Sequence, residues 1–300
     1  MPNPNELETL VPPISLNGDL ATEISGLDKL EQALPETQSR LARIWAGLWP
    51  KLAAFTLFLG FWQFGAWVKG KDYVLPGPGL VIPRFFDDIT TGRMIEATRT
   101  TMGRAAFGYT LALVIGMLIG LAVARNRILR AAFGSMITGL QTMPTIAWLP
   151  LAVLLFNASE SAINFVVVLG AAPAIANGII AGVDHTPPIL LRAGRVLGAR
   201  GFNAYRHVIL PAALPGFVSG LKQGWAFAWR SLLAGELLVA FSAKASLGYD
   251  LTTNRELADA QGLLSMMLAV LIIGIVMDSL FFGRLDRAVR RRWGLGGSTA

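Results

Sequence analysis

Long apolar stretches recur along the chain, separated by short polar segments. A membrane-spanning helix needs about 20 consecutive, mostly apolar residues to cross the hydrocarbon core. Six stretches approach or exceed this requirement, and together they predict six transmembrane helices at 52–68, 105–124, 131–159, 161–183, 217–241 and 260–277. The pattern therefore predicts an all-α membrane protein that crosses the bilayer six times.

The third stretch is long and contains two prolines. Pro144 and Pro150 each remove a backbone hydrogen bond, which predicts a broken helix. Broken helices at membrane depth occur where they line a cavity or are buried in protein. Pro144, Pro150 and the intervening Trp148 are therefore candidates for lining a translocation pathway, and the alternative is a buried kink.

The fifth stretch carries charges inside an apolar run. Lys222 lies near its cytoplasmic end and is expected to extend to the interface. Trp229, Arg230 and Glu236 are candidates for the pathway, because charges inside a membrane usually face a bundle interior or a watery cavity. Arg230 and Glu236 are about 600° apart around a helix, so they do not share a face. We expect Arg230 either to face the pathway and favour an anionic substrate, or to pair with Glu236 of a second copy or with Asp278.

Basic residues in the loops set the orientation and account for the net charge of +7. The positive-inside rule places arginine-rich loops in the cytoplasm. Three arginine groups fall on one side of a six-span arrangement, and they comprise Arg125, Arg127 and Arg130; Arg192, Arg195, Arg200 and Arg206; and Arg284, Arg287, Arg290, Arg291 and Arg292. The loop 69–104, with six bases and four acids, is the exception on the other side. Both termini are predicted to be cytoplasmic.

These features divide the chain into four regions. Residues 1–50 form a cytoplasmic tail with an amphipathic helix, and 51–90 hold the first span and an external loop. Residues 91–283 form the core, and 284–300 form a basic cytoplasmic tail. Beside a membrane helix this basic tail is expected to contact anionic lipid rather than nucleic acid.

Glycines at four-residue spacing recur in three spans. Such spacing favours close packing of helices through small residues. The glycines concerned are Gly116 and Gly120, Gly178 and Gly182, and Gly216, Gly220 and Gly224.

Catalytic and metal-binding chemistry is poorly represented in the sequence. The chain has no cysteine, and neither His185 nor His207 has a carboxylate cluster nearby. No GxxxxGK[ST] phosphate-binding loop occurs, so any ATP-driven step requires a separate polypeptide. We expect a chain that is not an enzyme and binds no metal or cofactor.

The loop between the fourth and fifth spans is longer than a plain connector needs to be. Its segment 192–211, RAGRVLGARGFNAYRHVILP, contains four arginines and no acid, so it is expected to lie in the cytoplasm. The pattern predicts two short helices at the membrane surface, joined by a glycine turn at Gly198 and stopped by Pro211 and Pro215. We interpret this segment as a docking surface with a basic face and an apolar face. Helical spacing places Val196, Leu197, Phe202 and Tyr205 on the apolar face.

The same segment resembles the cytoplasmic "EAA" loop of ABC-transporter permeases of the type I importer class. The family pattern is E-A-A, three residues, G, nine residues, I, one residue and L-P. Arg192, Ala193 and Gly194 stand at the E-A-A positions, Gly198 at the glycine, and Leu210 and Pro211 at the ending. Arg192 in place of Glu and Gly194 in place of Ala are departures from the pattern. The resemblance extends over roughly 91–283, and 210–237 is similar to the branch that imports sulfonates, taurine and nitrate.

The resemblance implies a MetI-like bundle that works as a homodimer in the bilayer of a bacterial inner membrane. It implies two separate ABC ATPase subunits, which bind ATP and Mg²⁺, and an extracytoplasmic substrate-binding protein. It also implies a coupling loop at 185–215 that docks on the ATPase through Arg192, Ala193, Gly194, Leu197, Gly198, Phe202, Tyr205, Leu210 and Pro211. The expected substrate is an aliphatic sulfonate, taurine or a similar small organic anion.

Other functions remain open at this point. Within the same class, the substrate could be nitrate, a thiamine-precursor-like molecule or another small solute. A secondary transporter driven by an ion gradient is expected to show repeated halves and carboxylates on several spans, and neither is visible. A membrane enzyme is expected to show a constellation of catalytic side chains, and none is apparent.

Overall fold

The structure is a computed structural model that describes residues 40–238 and 244–292, with side chains from residue 45 onward. Every regular element in these two ranges is helical, which confirms the all-α fold class. The longer helices are α1 Arg40–Lys69, α2 Pro78–Thr90, α3 Arg93–Arg125, α4 Arg127–Thr142, α5 Leu149–Phe156, α6 Glu160–Asp184, α7 Pro188–Val196, α8 Leu210–Leu238, α9 Leu247–Glu256, α10 Ala260–Val276 and α11 Gly283–Arg292. The tail 1–39, residues 239–241 of the fifth predicted span and the end of the basic tail at 293–300 lie outside the described residues.

The chain divides into two compact units, Met1–Phe61 and Trp62–Ala300. In the first unit, the described residues all belong to α1. Large apolar side chains such as Trp45 and Leu57 are more than half exposed on this helix. Such exposure is what a helix in contact with lipid requires, because its apolar face is solvated by acyl chains rather than by a protein core.

Three described helices are long and apolar enough to cross a membrane: Arg93–Arg125, Glu160–Asp184 and the continuous helix Ala260–Arg292. The pair Arg127–Thr142 and Thr145–Phe156 would be a fourth span, bent by 103°. These four correspond to the second, fourth, sixth and third predicted spans. The first and fifth predicted spans lie on α1 and α8, which are helical but are not among the four, so these two crossings stay predictions.

The predicted break in the third span is confirmed at one proline and wrong at the other. The chain leaves α4 at Met143 and bends at Pro144 into the short 3₁₀ turn Thr145–Trp148. Pro150 does not break a helix, because it lies in the first turn of α5. A proline is well tolerated there, since the first N–H groups of a helix have no intrahelical acceptor.

The core of the second unit is built around α6, which packs against α3 on one side and α8 on the other. Gly108, Gly116 and Gly120 of α3 approach successively later residues of α6, so these two helices run parallel. Gly182 of α6 lies against Ala213, near the start of α8, while Ile163 lies against Gly235 near its end, so α6 and α8 run antiparallel. The predicted close packing through glycines is confirmed, because added Cβ atoms would lie 2.6 Å or less from backbone atoms of the neighbouring helix at Gly116, Gly178, Gly182, Gly216 and Gly220.

Candidate functional site

The predicted docking segment folds as two helical pieces joined by a glycine turn. The first piece is α7, which begins at Pro188 and ends at Val196. Gly198 follows with φ +84° and Gly201 with φ +53°, both in the left-handed region that glycine adopts without steric cost. The predicted turn at Gly198 is confirmed.

The predicted stop at Pro211 and Pro215 is wrong. The helical turn Phe202–Ala204 continues through the π-helical stretch Tyr205–Ile209 directly into α8. The N–H of Leu210 donates to the carbonyl of Tyr205, five residues back instead of four. Pro211 lies in the first turn of α8 and Pro215 inside it. Local π-helical adjustment is one way in which helices accommodate proline, because it changes which carbonyls need a donor.

Three apolar side chains of the docking segment point away from the rest of the chain. Val196 is 88% exposed, Leu197 86% and Phe202 64%. Tyr205, predicted on the same face, instead packs inward: its ring lies 5.9 Å from the Arg125 guanidinium, and its hydroxyl is 3.5 Å from the carbonyl of Ala124. We call Val196, Leu197 and Phe202 the docking patch, and Tyr205 anchors it to the end of α3.

Gly194 has a structural explanation that the sequence did not offer. A Cβ at this position would lie 2.8 Å from Cγ2 of Val208, which packs over α7 from the π-helical stretch. Gly194 is buried, whereas its neighbours Arg192 and Ala193 are exposed. Nothing within the described chain pairs with the Arg192 side chain, so its guanidinium is available to a partner.

The candidate pathway residues of the broken span differ in exposure. Pro144 and Pro150 are exposed, and Trp148 is half-buried against the core. The bend is braced by Gln141, whose Nε2 donates to the carbonyl of Pro173 at 3.2 Å. Backbone that is irregular at membrane depth must be covered by protein or face water. The exposed bend at Pro144 therefore fits a surface that meets a second copy or an aqueous pathway.

Arg230 is exposed and makes no ion pair with any described residue. Its Nε donates to the carbonyl of Ala226 at 3.0 Å, and its guanidinium lies 4.8 Å from the centroid of the Phe227 ring. Asp278, the alternative partner, forms an ion pair with Lys222, with 3.2 Å between Nζ and Oδ1. The pairing of Arg230 with Asp278 is therefore wrong within this chain, and Lys222 is ion-paired rather than simply extended to the interface.

Glu236 and Trp229 are enclosed in the core of the chain. Trp229 is 8% exposed and stacks on Trp225 at a centroid distance of 6.1 Å. The Glu236 side chain is fully buried and already has partners, so it does not reach toward a second copy's Arg230. The structure thus separates Arg230, on an open face of α8, from two residues predicted beside it in the pathway.

A buried polar network surrounds Glu236. Its carboxylate accepts hydrogen bonds from Thr101 Oγ1 at 2.9 Å, Arg104 Nη1 at 2.8 Å and the N–H of Gly248 at 3.1 Å. Arg104 also donates from Nε to Glu160 at 2.8 Å. This network joins α3, α6, α8 and the start of α9. It compensates the negative charge of Glu236, which α8 places in the core.

Sequence reasoning missed Arg104 and Thr101 as partners of Glu236. The available signal was Glu236 itself, because a carboxylate in an apolar span requires a partner. Arg104 stands directly before an apolar run and was counted with the external loop. With 26 basic residues to choose from, the pattern could not select this one.

A second polar cluster joins helix α2 to α10 and helix α9 to α3. Asp88 is buried and accepts from Ser265 Oγ at 2.7 Å, and Arg93 pairs with Asp250 at 3.2 Å. Burial raises the pKa of the Asp250 carboxyl, and the ion pair with Arg93 opposes that rise. The cluster therefore fixes the positions of these helices relative to one another.

Metal chemistry has no support in the described ranges. No group of three His, Cys, Asp or Glu side chains there could hold a metal ion. His185 and His207 each place Nδ1 within hydrogen-bond distance of a carbonyl four residues earlier in their own segments.

Comparison with known proteins places this fold among transport proteins. Residues 112–291 match the family described as "Binding-protein-dependent transport system inner membrane component". The chain is 28% identical to a putative ABC transporter permease protein of Methanocaldococcus jannaschii, covering 76% of this chain and 86% of the relative. It is 26% identical to the taurine transport system permease protein of Escherichia coli, covering 77% and 87%. Further relatives at 25–29% identity carry names for nitrate, riboflavin and aliphatic sulfonate transport.

The fold is also found in a solved structure. An inward-facing form of the MetNI methionine ABC transporter aligns with a TM-score of 0.56 and 20% identity, covering 67% of this chain and 98% of the matched chain. At that identity the likeness concerns the fold alone.

Proposed function

Because the chain belongs to the family of binding-protein-dependent transport system inner membrane components, we propose that it forms the pathway for a small organic anion such as an aliphatic sulfonate or taurine. The family establishes the coarser role: the chain is a membrane permease subunit of an ABC importer. ATP hydrolysis belongs to separate subunits in such importers. The proposal adds the substrate class, the homodimer, the pair of ATPase subunits that carry ATP and Mg²⁺, the external binding protein and cytoplasmic termini.

The exposed position of Arg230 is the observation that supports an anionic substrate. It lies on α8, exposed and without an ion pair among the described residues, in a stretch that the sequence predicts to cross the membrane. Leaving an arginine in contact with lipid at the centre of a helix costs about 2.5–3.5 kcal/mol on the insertion scale. This cost favours an arrangement in which Arg230 faces an aqueous pathway, where a guanidinium suits tetrahedral oxyanions.

We expect Arg230→Gln to raise the KM for sulfonate uptake at least about tenfold, because one charge-assisted contact is worth roughly 1.5–3 kcal/mol. The measurement is uptake of labelled taurine by cells with matched amounts of permease in the membrane. Arg230→Lys retains the charge and should keep part of the activity. Lys222→Gln, on the same helix, is the matched control and should leave KM unchanged. Unchanged uptake and selectivity in Arg230→Gln would remove the substrate role of this residue.

Nitrate is the principal alternative substrate, since a guanidinium binds planar and tetrahedral oxyanions alike. Competition with unlabelled nitrate, sulfonates and cationic solutes separates these substrates in one assay. An ion-gradient mechanism is tested in the same cells: uptake that persists without ATP but needs a sodium or proton gradient would contradict the importer.

The docking patch is proposed to contact the ATPase. Val196, Leu197 and Phe202 expose their side chains to the cytoplasm in the proposed topology, beside the turn at Gly198. Contiguous exposed apolar surface that polar groups surround is typical of a protein–protein contact. Arg192 and Arg195 on α7 are exposed alongside and can meet acidic residues of the partner.

We expect Gly198→Val to uncouple ATP hydrolysis from uptake. A β-branched residue at φ +84° costs on the order of 1–3 kcal/mol, and relief of this strain would redirect the docking patch. In vesicles that contain the permease with its co-purified ATPase, uptake should fall at least about tenfold while the amount of inserted permease stays unchanged. Gly139→Val is the control, because a Cβ at Gly139 meets nothing within 4 Å and its φ is not positive. Normal coupling in Gly198→Val would contradict the role of this turn.

A further inference from the structure

An open polar cavity of about 600 Å³ lies between α3 and the start of α6. Its lining includes Glu96, Arg99, Arg104 and Phe107 of α3, Glu160 and Asn164 of α6, and Lys244, which precedes α9. Because α6 runs from Glu160 to Asp184, just before the docking segment, this cavity is at the opposite end of the bundle. In the proposed topology, that end faces the binding protein that delivers substrate.

Two opposite charges in this cavity have no partner in the described chain. Arg104 is already held by two carboxylates, with Nε to Oε2 of Glu160 at 2.8 Å and Nη1 to Oε1 of Glu236 at 2.8 Å. The side chains of Glu96 and Arg99 make no hydrogen bond or ion pair with any described residue, although both line the same space. They stand three residues apart on α3, which is close to one helical turn, so they lie near the same face.

The surroundings of Arg99 favour binding of a ligand in the polar cavity rather than on the apolar side of this residue. A second cavity borders Arg99 and is lined mainly by apolar residues such as Met102, Ile272 and Ile273. It offers the guanidinium no acceptor, whereas the polar cavity can hold a solvated anion. Arg99 is exposed, so its guanidinium can pair with a ligand oxyanion on the polar side without being transferred to apolar surroundings.

Glu96 is the acceptor at this cavity. Its side chain is exposed, and an ammonium group provides three N–H donors for the carboxylate. Asn164 also lines the cavity, but its Oδ1 is enclosed and lies against Gly108, so a ligand in the cavity does not reach that atom.

We propose that this cavity binds a small zwitterion whose oxyanion pairs with Arg99 and whose ammonium group pairs with Glu96. The charges of these two side chains match the two charges of such a ligand, at a cavity that Lys244 also lines. As a step in transport the inference rests on the proposed function, and it narrows the substrate class from organic anions to amino-substituted ones. Binding to the purified chain can be measured independently of transport.

The test is calorimetric titration of the purified full chain in lipid nanodiscs with taurine, ethanesulfonate and ethylamine. Taurine should bind at least about tenfold more tightly than ethanesulfonate, because only taurine makes the second charged contact. Glu96→Gln should abolish that difference in affinity, and Arg99→Gln should weaken taurine binding about tenfold or more. Arg99→Lys keeps the charge and should bind within about threefold of the wild type. Arg255→Gln, an exposed residue of α9 outside the cavity lining, is the control.

Equal affinity for taurine and ethanesulfonate in the wild type would overturn the inference, as would discrimination that survives Glu96→Gln. Each variant is first checked for normal size-exclusion behaviour, and Arg99→Lys keeps the test decisive if Arg99→Gln does not fold. Uptake by the complete transporter separates the two proposals. Import of taurine that depends on Arg230 but not on Glu96 refutes the zwitterion site alone. Taurine binding that depends on Glu96, in a transporter that imports no sulfonate, refutes only the proposed substrate.

Discussion

Gly220→Leu should prevent most of the protein molecules from reaching a stable folded state. A Cβ at Gly220 would lie 2.6 Å from the Cα of Gly178 and 3.3 Å from the carbonyl oxygen of Ala174. Both obstacles are backbone atoms of α6, so no side chain can rotate away to make room. Overpacking a core typically costs 1–3 kcal/mol and occasionally more, and a rigid backbone contact places this substitution at about 3 kcal/mol or above.

The measurement is the yield of monodisperse protein after detergent extraction, together with its melting temperature. Gly134→Leu is the matched control, because its nearest obstacle is the flexible Arg130 side chain at 3.9 Å. We expect the control to behave like the wild type. A normal yield and melting temperature for Gly220→Leu would show that α6 and α8 do not pack through these glycines.

Arg104→Met should be the second strongly destabilising substitution. It leaves the buried carboxylate of Glu236 with Thr101 and the N–H of Gly248 but with no positive charge. Removing one partner of a buried ion pair typically costs 3–5 kcal/mol, because the remaining charge is uncompensated. We expect a large fall in the melting temperature of the purified chain.

The geometry of the network provides its own controls. Glu160→Gln removes only the ion pair between Arg104 and Glu160, whose side chain is 54% exposed. This substitution should lower the free energy of unfolding by about 1 kcal/mol or less. Adding Glu236→Gln to Arg104→Met removes the stranded charge and should restore a large part of the lost stability. If the double variant were no more stable than Arg104→Met, the ion pair would not explain the effect.

Sequence reasoning succeeded where the relevant interactions are local. The turn at Gly198 and the broken helix at Pro144 were predicted because glycine and proline restrict their own backbone. The continuation through Pro211 was missed, since a π-helical stretch upstream changes the hydrogen bonds that proline would disturb. Tyr205 was placed on the docking face by spacing alone, whereas its contact with Arg125 depends on where α3 ends.

The candidate site was predicted less completely than the fold. Arg230 was identified because a charge in an apolar run is visible without a structure. The polar cavity at Glu96 and Arg99 was not, because these residues lie in a stretch of α3 that was assigned to the external loop. Their common cavity with Asn164 exists only because α3 and α6 run parallel and in register at Gly108.

By itself the sequence determined that this is a helical membrane protein, and it predicted a basic docking segment on the cytoplasmic side. These properties follow from the length of apolar runs, the position of arginines and the local effects of glycine and proline. The tertiary structure decided which charges meet. Arg104 forms an ion pair with Glu236 at a sequence separation of 132 residues, Lys222 forms one with Asp278, and Arg230 is left exposed. The physical reason is that an ion pair depends on distances across packed helices, and many basic residues are compatible with each acid until that packing is known.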